Sequence, residues 1–324
     1  MKGLGELTME LERFPIAGEF RISRGVKTLA EVLVITVARD GFVGRGEAVP
    51  YARYDETPAS ITRQFSQYEE TLRALDRETL RRTMPAGALR NAVDLALWDL
   101  EGRRSGRSQP RAETVRSALT LSLADPETMA ARASASRGTL LKLKLQGDAL
   151  DAERLRAVHA ARPDAELWLD ANEGLDAARY RALVPLLEAL PVVLLEQPLP
   201  ADADAELGKL PRPVPICADE SVHDVATLET LLDRYDAVNV KLDKTGGLTE
   251  AHDVVRRARE LGLDVVIGCM VCTSLSLAPA FVLALDADFA DLDGALFLEK
   301  DREGGVVLDE SGLLHAPSRT LWAG

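Results

Sequence analysis

Cysteine is scarce: Cys217, Cys269 and Cys272 are the only three in 324 residues. Three cannot build a disulfide framework, and the odd count points to a reducing compartment, so a cytoplasmic location is expected. Positive charge is also short, with 39 Lys and Arg against 52 Asp and Glu and a formal net charge of −13. That balance argues against a nucleic-acid partner or an anionic membrane surface, although a metal or a local cluster can still bind a small anion. No apolar run is long enough to span a bilayer. The opening "MKGLGELTMELERF" has no apolar stretch leading to a small-residue cleavage site, so neither a membrane anchor nor a signal peptide is expected.

What is present suffices for a large core: 46% of residues are hydrophobic and 28% charged. The length allows two domains, or one barrel with an addition, and leaves the oligomeric state open, a homo-oligomer included. The first part alternates apolar and polar residues at 6–23, 29–41 and 41–50, which predicts an antiparallel meander. Helical periodicity follows at 57–83 and 86–104. Residues 1–112 are therefore expected to form an α+β unit. After "SGRSQP" the pattern changes. Short apolar runs begin at 118, 140, 166, 192, 215, 237, 264 and 289, with a helical connection expected between each pair. That rhythm of parallel βα units predicts a (β/α)7β TIM-like barrel over 113–300, capped by the N-terminal unit. A doubly wound sheet would carry a Gly-rich turn after its first strand, and "LSLADPE" has none. The tail, 301–324, is too short for a domain and is expected to pack back on the first unit.

Polar residues at the C-terminal ends of barrel strands face the mouth where such barrels work. Asp170, Glu196 and Asp219 end the third, fourth and fifth strands, at intervals of 26 and 23 residues. Each alone could cap the helix after it. Three in register at neighbouring strands would repel strongly without a cation, and an all-oxygen set suits magnesium. Lys144 ends the second strand and Lys241 the sixth, so two candidate bases flank the carboxylates. Lys241 could instead form a salt bridge to Asp243 or to a neighbouring carboxylate. The run "LLKLKL" puts Lys142 and Lys144 on one face of an apolar strand. A second ammonium, burial and a nearby dication all disfavour a charged lysine, so Lys142 is expected to lower the pKa of Lys144 and make it a base. His159, His223, His252 and His315 fall away from the strand ends beside the carboxylates, so histidine catalysis is not expected. Cys269 and Cys272 follow the seventh strand rather than a thioredoxin-like βαβ start and read as wall packing.

The ordered motifs "KLK", "LDAN", "EQP", "ADES" and "VNVKLDKTGG" resemble the enolase superfamily, in particular the subgroup named for muconate lactonizing enzyme, and the resemblance covers nearly the whole chain. It implies Asp170, Glu196 and Asp219 as ligands of one Mg2+ and Lys144 and Lys241 as an acid/base pair acting through an enediolate. Two further features resemble dipeptide epimerases acting on Ala-Glu. "ADLDG" places Asp291 and Asp293 where a DxD binds the substrate ammonium, and Arg24 of "RISRG" matches a loop arginine that meets the glutamate side chain. "YARYDE" (51–56) is expected to be the second cap loop over the site. The reading is a Mg-dependent isomerase, a dipeptide epimerase inverting the α-carbon of the C-terminal residue, with L-Ala-D/L-Glu as the small-molecule substrate. An N-acylamino acid racemase or o-succinylbenzoate synthase is the alternative on the same scaffold. A non-catalytic metal-dependent binding barrel is the alternative of another class, and it would need no Lys241.

Overall fold

The computed structural model describes residues 6–72 and 76–324. Strands β1 (Glu6–Ile22), β2 (Gly25–Arg39) and β3 (Phe42–Ala48) form an antiparallel sheet in that order. The middle of β2, Val32 to Ile35, is buried on both faces. Leu33, Ile35 and Val37 pack under the cap helices α1 (Pro58–Leu72), α2 (Arg77–Thr83) and α3 (Ala88–Ser105). Val32 and Val34, on the opposite face, join the large barrel core, so the alternation expected over 29–41 gives way to four consecutive apolar residues at 32–35. The single helical stretch expected at 57–83 holds two helices, the second started by Asp76, whose carboxylate accepts from Thr79 N at 2.8 Å. Helix α3 presses on β3 at Gly46, where a Cβ would stand 2.2 Å from Ala92 O.

The β1–β2 register shifts between Pro15 and Phe20. Such an irregularity bends a hairpin, and here it lays the tip on the barrel: Leu123 N donates to Arg21 O at 3.0 Å and Ser23 Oγ to Asn172 O at 3.3 Å.

A two-residue strand β4 (Thr114–Val115) leads into the barrel. Its units run β5 (Leu119–Leu121), α4 (Pro126–Ala135), β6 (Leu140–Lys144), α5 (Asp151–Ala161), β7 (Glu166–Asp170), α6 (Ala177–Ala189), β8 (Val192–Glu196), β9 (Ile216–Ala218), α7 (Val225–Leu228), β10 (Ala237–Val240), α8 (Leu242–Thr245), α9 (Leu248–Glu260), β11 (Asp264–Gly268), α10 (Ser274–Leu283) and β12 (Phe289–Asp291). The strands lie parallel in sequence order from β5 to β12. A Ser117–Ala290 bridge, with Ala118 N donating to Ala290 O at 2.8 Å, closes β12 onto β5. The fold is a capped (β/α)7β barrel. One expected helical connection is absent as an α-helix: β8 and β9 are joined by a 3-10 segment, Asp204–Lys209. Prolines at 198, 200, 211, 213 and 215 flank it, and each lacks the N–H that a helix needs.

Period-two alternation sorts the interior into layers. Leu140, Trp168, Leu194, Cys217, Ala237 and Val266 form an apolar floor. Two residues further along their strands stand Lys142, Asp170, Glu196, Asp219, Asn239 and Gly268. The tail adds β13 (Val307–Leu308) and β14 (Leu314–His315) to β4. It then returns to the cap, where Trp322 Nε1 donates to Leu95 O at 3.1 Å. Among the described residues, no helix is long and apolar enough to cross a membrane.

Candidate active site

A cavity of about 430 Å³ opens where the barrel mouth meets the cap. The barrel contributes Thr120, Lys144, Asn172, Asp219, Glu220, Lys241, Asp291 and Asp293, and the cap contributes the hairpin tip and Tyr51–Tyr54. The second cap loop is thus where the sequence placed it. Glu56 holds that loop, accepting from Tyr51 N at 3.2 Å and from Ala88 N, at the start of α3, at 2.7 Å.

The three strand-end carboxylates form an arc. Lys144, Asp170 and Glu196 are consecutive register partners across β6, β7 and β8, and Asp219 follows on the β9 side. Lysines are threaded between them. Lys144 Nζ lies 2.6 Å from Asp170 at one end, and Lys241 Nζ 2.6 Å from Asp219 at the other. Lys142, one layer below, reaches Glu196 and Asp291 at 2.6 Å each and Asp170 at 3.0 Å. Of the carboxylates expected as structural partners of Lys241, the neighbouring Asp219 is paired with it, while Asp243 accepts from Val49 N and Asn91 Nδ2.

The Lys142–Lys144 repulsion is largely answered within the cluster, since Asp170 Oδ2 lies between the two ammonium groups. Burial opposes the charge on Lys142, but Asp170, Asp291 and Glu196 overcome it and hold its pKa well above the ordinary lysine value. Burial likewise opposes the charge on Lys241, and Asp219 and Glu196 overcome it. Asp170 and Asp219 are held below the usual carboxylate range because their lysines outweigh burial. Glu196 is different: burial and then Asp170 push it up to about 7, although Trp168 Nε1 and Asn239 Nδ2 each donate to it at 2.8 Å.

The loops carrying the arc are braced. Gln197, at φ 35°, accepts from Asp219 N and Ser221 N and donates to Leu199 O and to the Ser221 and Tyr235 hydroxyls. It fixes the β8 and β9 ends together. Asn172 and Glu173 also take positive φ, 43° and 66°, a cost accepted where a loop must turn sharply at a site.

Among the described residues, no three His, Cys, Asp or Glu side chains converge as a closed cage, because ammonium groups separate the carboxylates. The donor set nonetheless fits a hard dication. Its members are all oxygen, and all three are buried. Two more oxygens at this mouth, Asn172 Oδ1 and Glu220 Oε2, are buried without a donor.

The other expected residues also reach the cavity, each with partners of its own. Asp291 meets Lys142, while Asp293 accepts from Thr120 N at 2.6 Å and is pushed up to about 7 by burial and then by Asp291. Arg24 meets Asn172 O, Glu173, Glu220 and Tyr51. Cys269 lines the wall, and all three cysteines are free. Sequence reasoning missed Asn239 and Lys244. Asn239 shares the inward face with Lys241 two residues on, which was a usable signal. Lys244 Nζ binds Asp219 Oδ1 at 2.6 Å from the one-turn helix α8 after β10, and strand periodicity does not reach that far.

Comparison with known proteins places this arrangement. Residues 6–110 match the mandelate racemase/muconate lactonizing enzyme N-terminal domain, and residues 127–320 match the enolase C-terminal domain-like family. The chain belongs to that family of capped barrels. Within it, the chain is 43% identical to the L-Ala-D/L-Glu epimerase of Escherichia coli K12, over 94% of this chain and 97% of the relative. It is 40% identical to an N-acetyl-D-glutamate racemase of a Pseudoalteromonas species, over 90% and 95%. Among solved structures, an enolase family member from Agrobacterium tumefaciens with homology to dipeptide epimerases, with bound sodium and L-Ala-L-Glu, superposes with a TM-score of 0.93 at 46% identity, over 98% of this chain and 99% of that one. A dipeptide epimerase from Enterococcus faecalis, complexed with Mg and L-Leu-L-Tyr, gives 0.90 at 26% identity, over 100% and 99%.

Proposed function

We propose that the protein is a Mg-dependent dipeptide epimerase, inverting the α-carbon of a C-terminal residue by 1,1-proton transfer, with L-Ala-D/L-Glu as its substrate pair. The observation that carries this reading is the symmetry of the arc. Lys144 and Lys241 both line the cavity, each paired with an outer carboxylate, and Glu196 lies between. One lysine removes the α-proton and the other returns a proton to the opposite face, which is what inversion requires of two groups. Asp170, Glu196 and Asp219 would hold magnesium, which when bound would draw charge from the substrate's terminal carboxylate and so acidify the α-proton. Asp291 and Asp293 stand at the wall for the substrate ammonium. The free cysteines support a cytoplasmic setting.

A second reading, N-acylamino acid racemase, is favoured by one observation: both Asp291 and Asp293 already have partners, so the wall is not a bare anionic pocket. Turnover of a free-amine dipeptide against the corresponding N-acyl amino acid separates the two.

The mechanism itself is tested by α-proton exchange in heavy water. Lys144→Ala and Lys241→Ala should each lower epimerisation by roughly 10²–10⁴-fold. Each should retain exchange only with the enantiomer facing its surviving lysine, so the two variants should show opposite stereochemistry. Near-wild-type epimerisation by Lys241→Ala would sink the two-base mechanism.

A further inference from the structure

One member of the apolar floor carries a strong hydrogen-bond donor. Trp168, fully buried on β7, packs there with Leu140, Leu194, Cys217, Ala237 and Val266. Its ring is boxed in. Phe289 meets it edge-on, with ring centres 6.0 Å apart at 71°, and Lys142 Nζ lies 4.7 Å from its centre. Packing the floor needs only the ring. The indole also brings a single N–H and no acceptor, and that N–H leaves the floor for Glu196 Oε2, 2.8 Å away. Trp168 and Leu194 are register partners on β7 and β8, and Glu196 stands two residues beyond Leu194. The bond therefore runs from the apolar layer up to the layer of the carboxylates.

Glu196 is thereby held differently from its neighbours. Asp170 is met by the ammonium groups of Lys142 and Lys144, and Asp219 by those of Lys241 and Lys244. A dication among the carboxylates repels every one of these groups. Glu196 shares Lys142, 2.6 Å from Oε2. Each of its oxygens also has a neutral donor, Trp168 Nε1 on Oε2 and Asn239 Nδ2 on Oε1, both at 2.8 Å. Neutral donors orient a carboxylate without adding a charge that opposes a cation on its other side.

We propose that Trp168 is a positioning residue for the metal site: its indole N–H fixes the orientation of the Glu196 carboxylate toward a dication held by Asp170, Glu196 and Asp219. This rests on the magnesium reading of the same arc.

Trp168→Phe keeps a ring in the floor and removes the donor. Isothermal titration calorimetry should show Mg2+ bound about 10- to 100-fold more weakly than by the wild type, the usual size of losing a partner that orients a metal ligand. The Mg2+ concentration for half-maximal α-proton exchange should rise by the same factor, while kcat at saturating Mg2+ stays near the wild-type value. Trp168→Leu leaves a larger void. It should unfold at a lower temperature in chelator than Trp168→Phe, yet weaken Mg2+ by the same factor. A merely structural role would make Mg2+ affinity follow packing, so affinity that is unchanged in these variants, or that falls in step with Tm, overturns the inference. Wild-type protein that binds no Mg2+ and turns over fully in chelator overturns the magnesium reading, and this inference with it.

Discussion

Replacing Lys142 with methionine keeps the length of the side chain and removes one buried positive charge. The three carboxylates around it do not suffer equally. Asp170 retains Lys144 at 2.6 Å. Glu196 retains Trp168 and Asn239 at 2.8 Å and Lys241 at 4.0 Å. Asp291, only 6% exposed, loses its ion pair at 2.6 Å, and no other ion pair or hydrogen bond to its carboxylate is seen among the described residues. Removing one partner of a buried pair costs about 3–5 kcal/mol, because the other charge is left uncompensated. At about 2–4 °C per kcal/mol, this is a fall of roughly 6–20 °C in Tm. The assay is thermal unfolding in chelator, so that no added cation offsets the loss. The double variant Lys142→Met/Asp291→Asn should recover most of the fall, since the orphaned charge goes with it. A fall below about 1 kcal/mol, or no recovery in the double variant, would refute the view that Lys142 is the counterion of the β12 aspartate.

Three further outcomes are expected. Chelation should abolish turnover while circular dichroism shows most of the fold intact, because the arc lies at the mouth and the apolar floor below it is complete; full turnover in chelator would remove the metal assignment. Asp293→Asn should weaken free-amine dipeptides by about 2–5 kcal/mol more than N-acyl substrates, as expected for losing one partner of a desolvated pair, and equal loss on both would favour the racemase reading. In the cap, burial raises Asp94 to about 6 although Thr249 donates to both its oxygens. The folded state therefore binds this proton more tightly than the unfolded one, and its contribution to stability is lost as pH rises from about 4 to 6. Asp94→Asn should gain up to about 3 kcal/mol relative to wild type between pH 4 and pH 8, and a pH-independent difference would contradict that origin.

The barrel was legible because its strands are buried on both sides, which leaves short apolar runs with little else to do. The cap helices and sheet were legible by period. What escaped was set by local chemistry. Prolines around Asp204–Lys209 deny that connection a helix, and the β1 irregularity between Pro15 and Phe20 has no signature in alternation alone. In the site, strand-end positions were readable because period two fixes which residues face inward. Partners were not. Lys142 meets Asp291 across 149 residues of chain only because β12 closes onto β5.

The paired lysines of "LLKLKL" then acquire separate places. Residues two apart on a strand lie about 7 Å from each other, enough for a carboxylate oxygen to stand between their ammonium groups, and Asp170 Oδ2 does so at 3.0 and 2.6 Å. From the sequence, the repulsion is expected to lower the pKa of Lys144. The geometry instead gives Lys142 three carboxylates and a Trp168 ring 4.7 Å away, the surroundings of a permanent cation. Lys142 serves as the charge that lets Asp170, Glu196 and Asp291 be buried together. Lys144, one layer higher, is the member of the pair that faces the cavity.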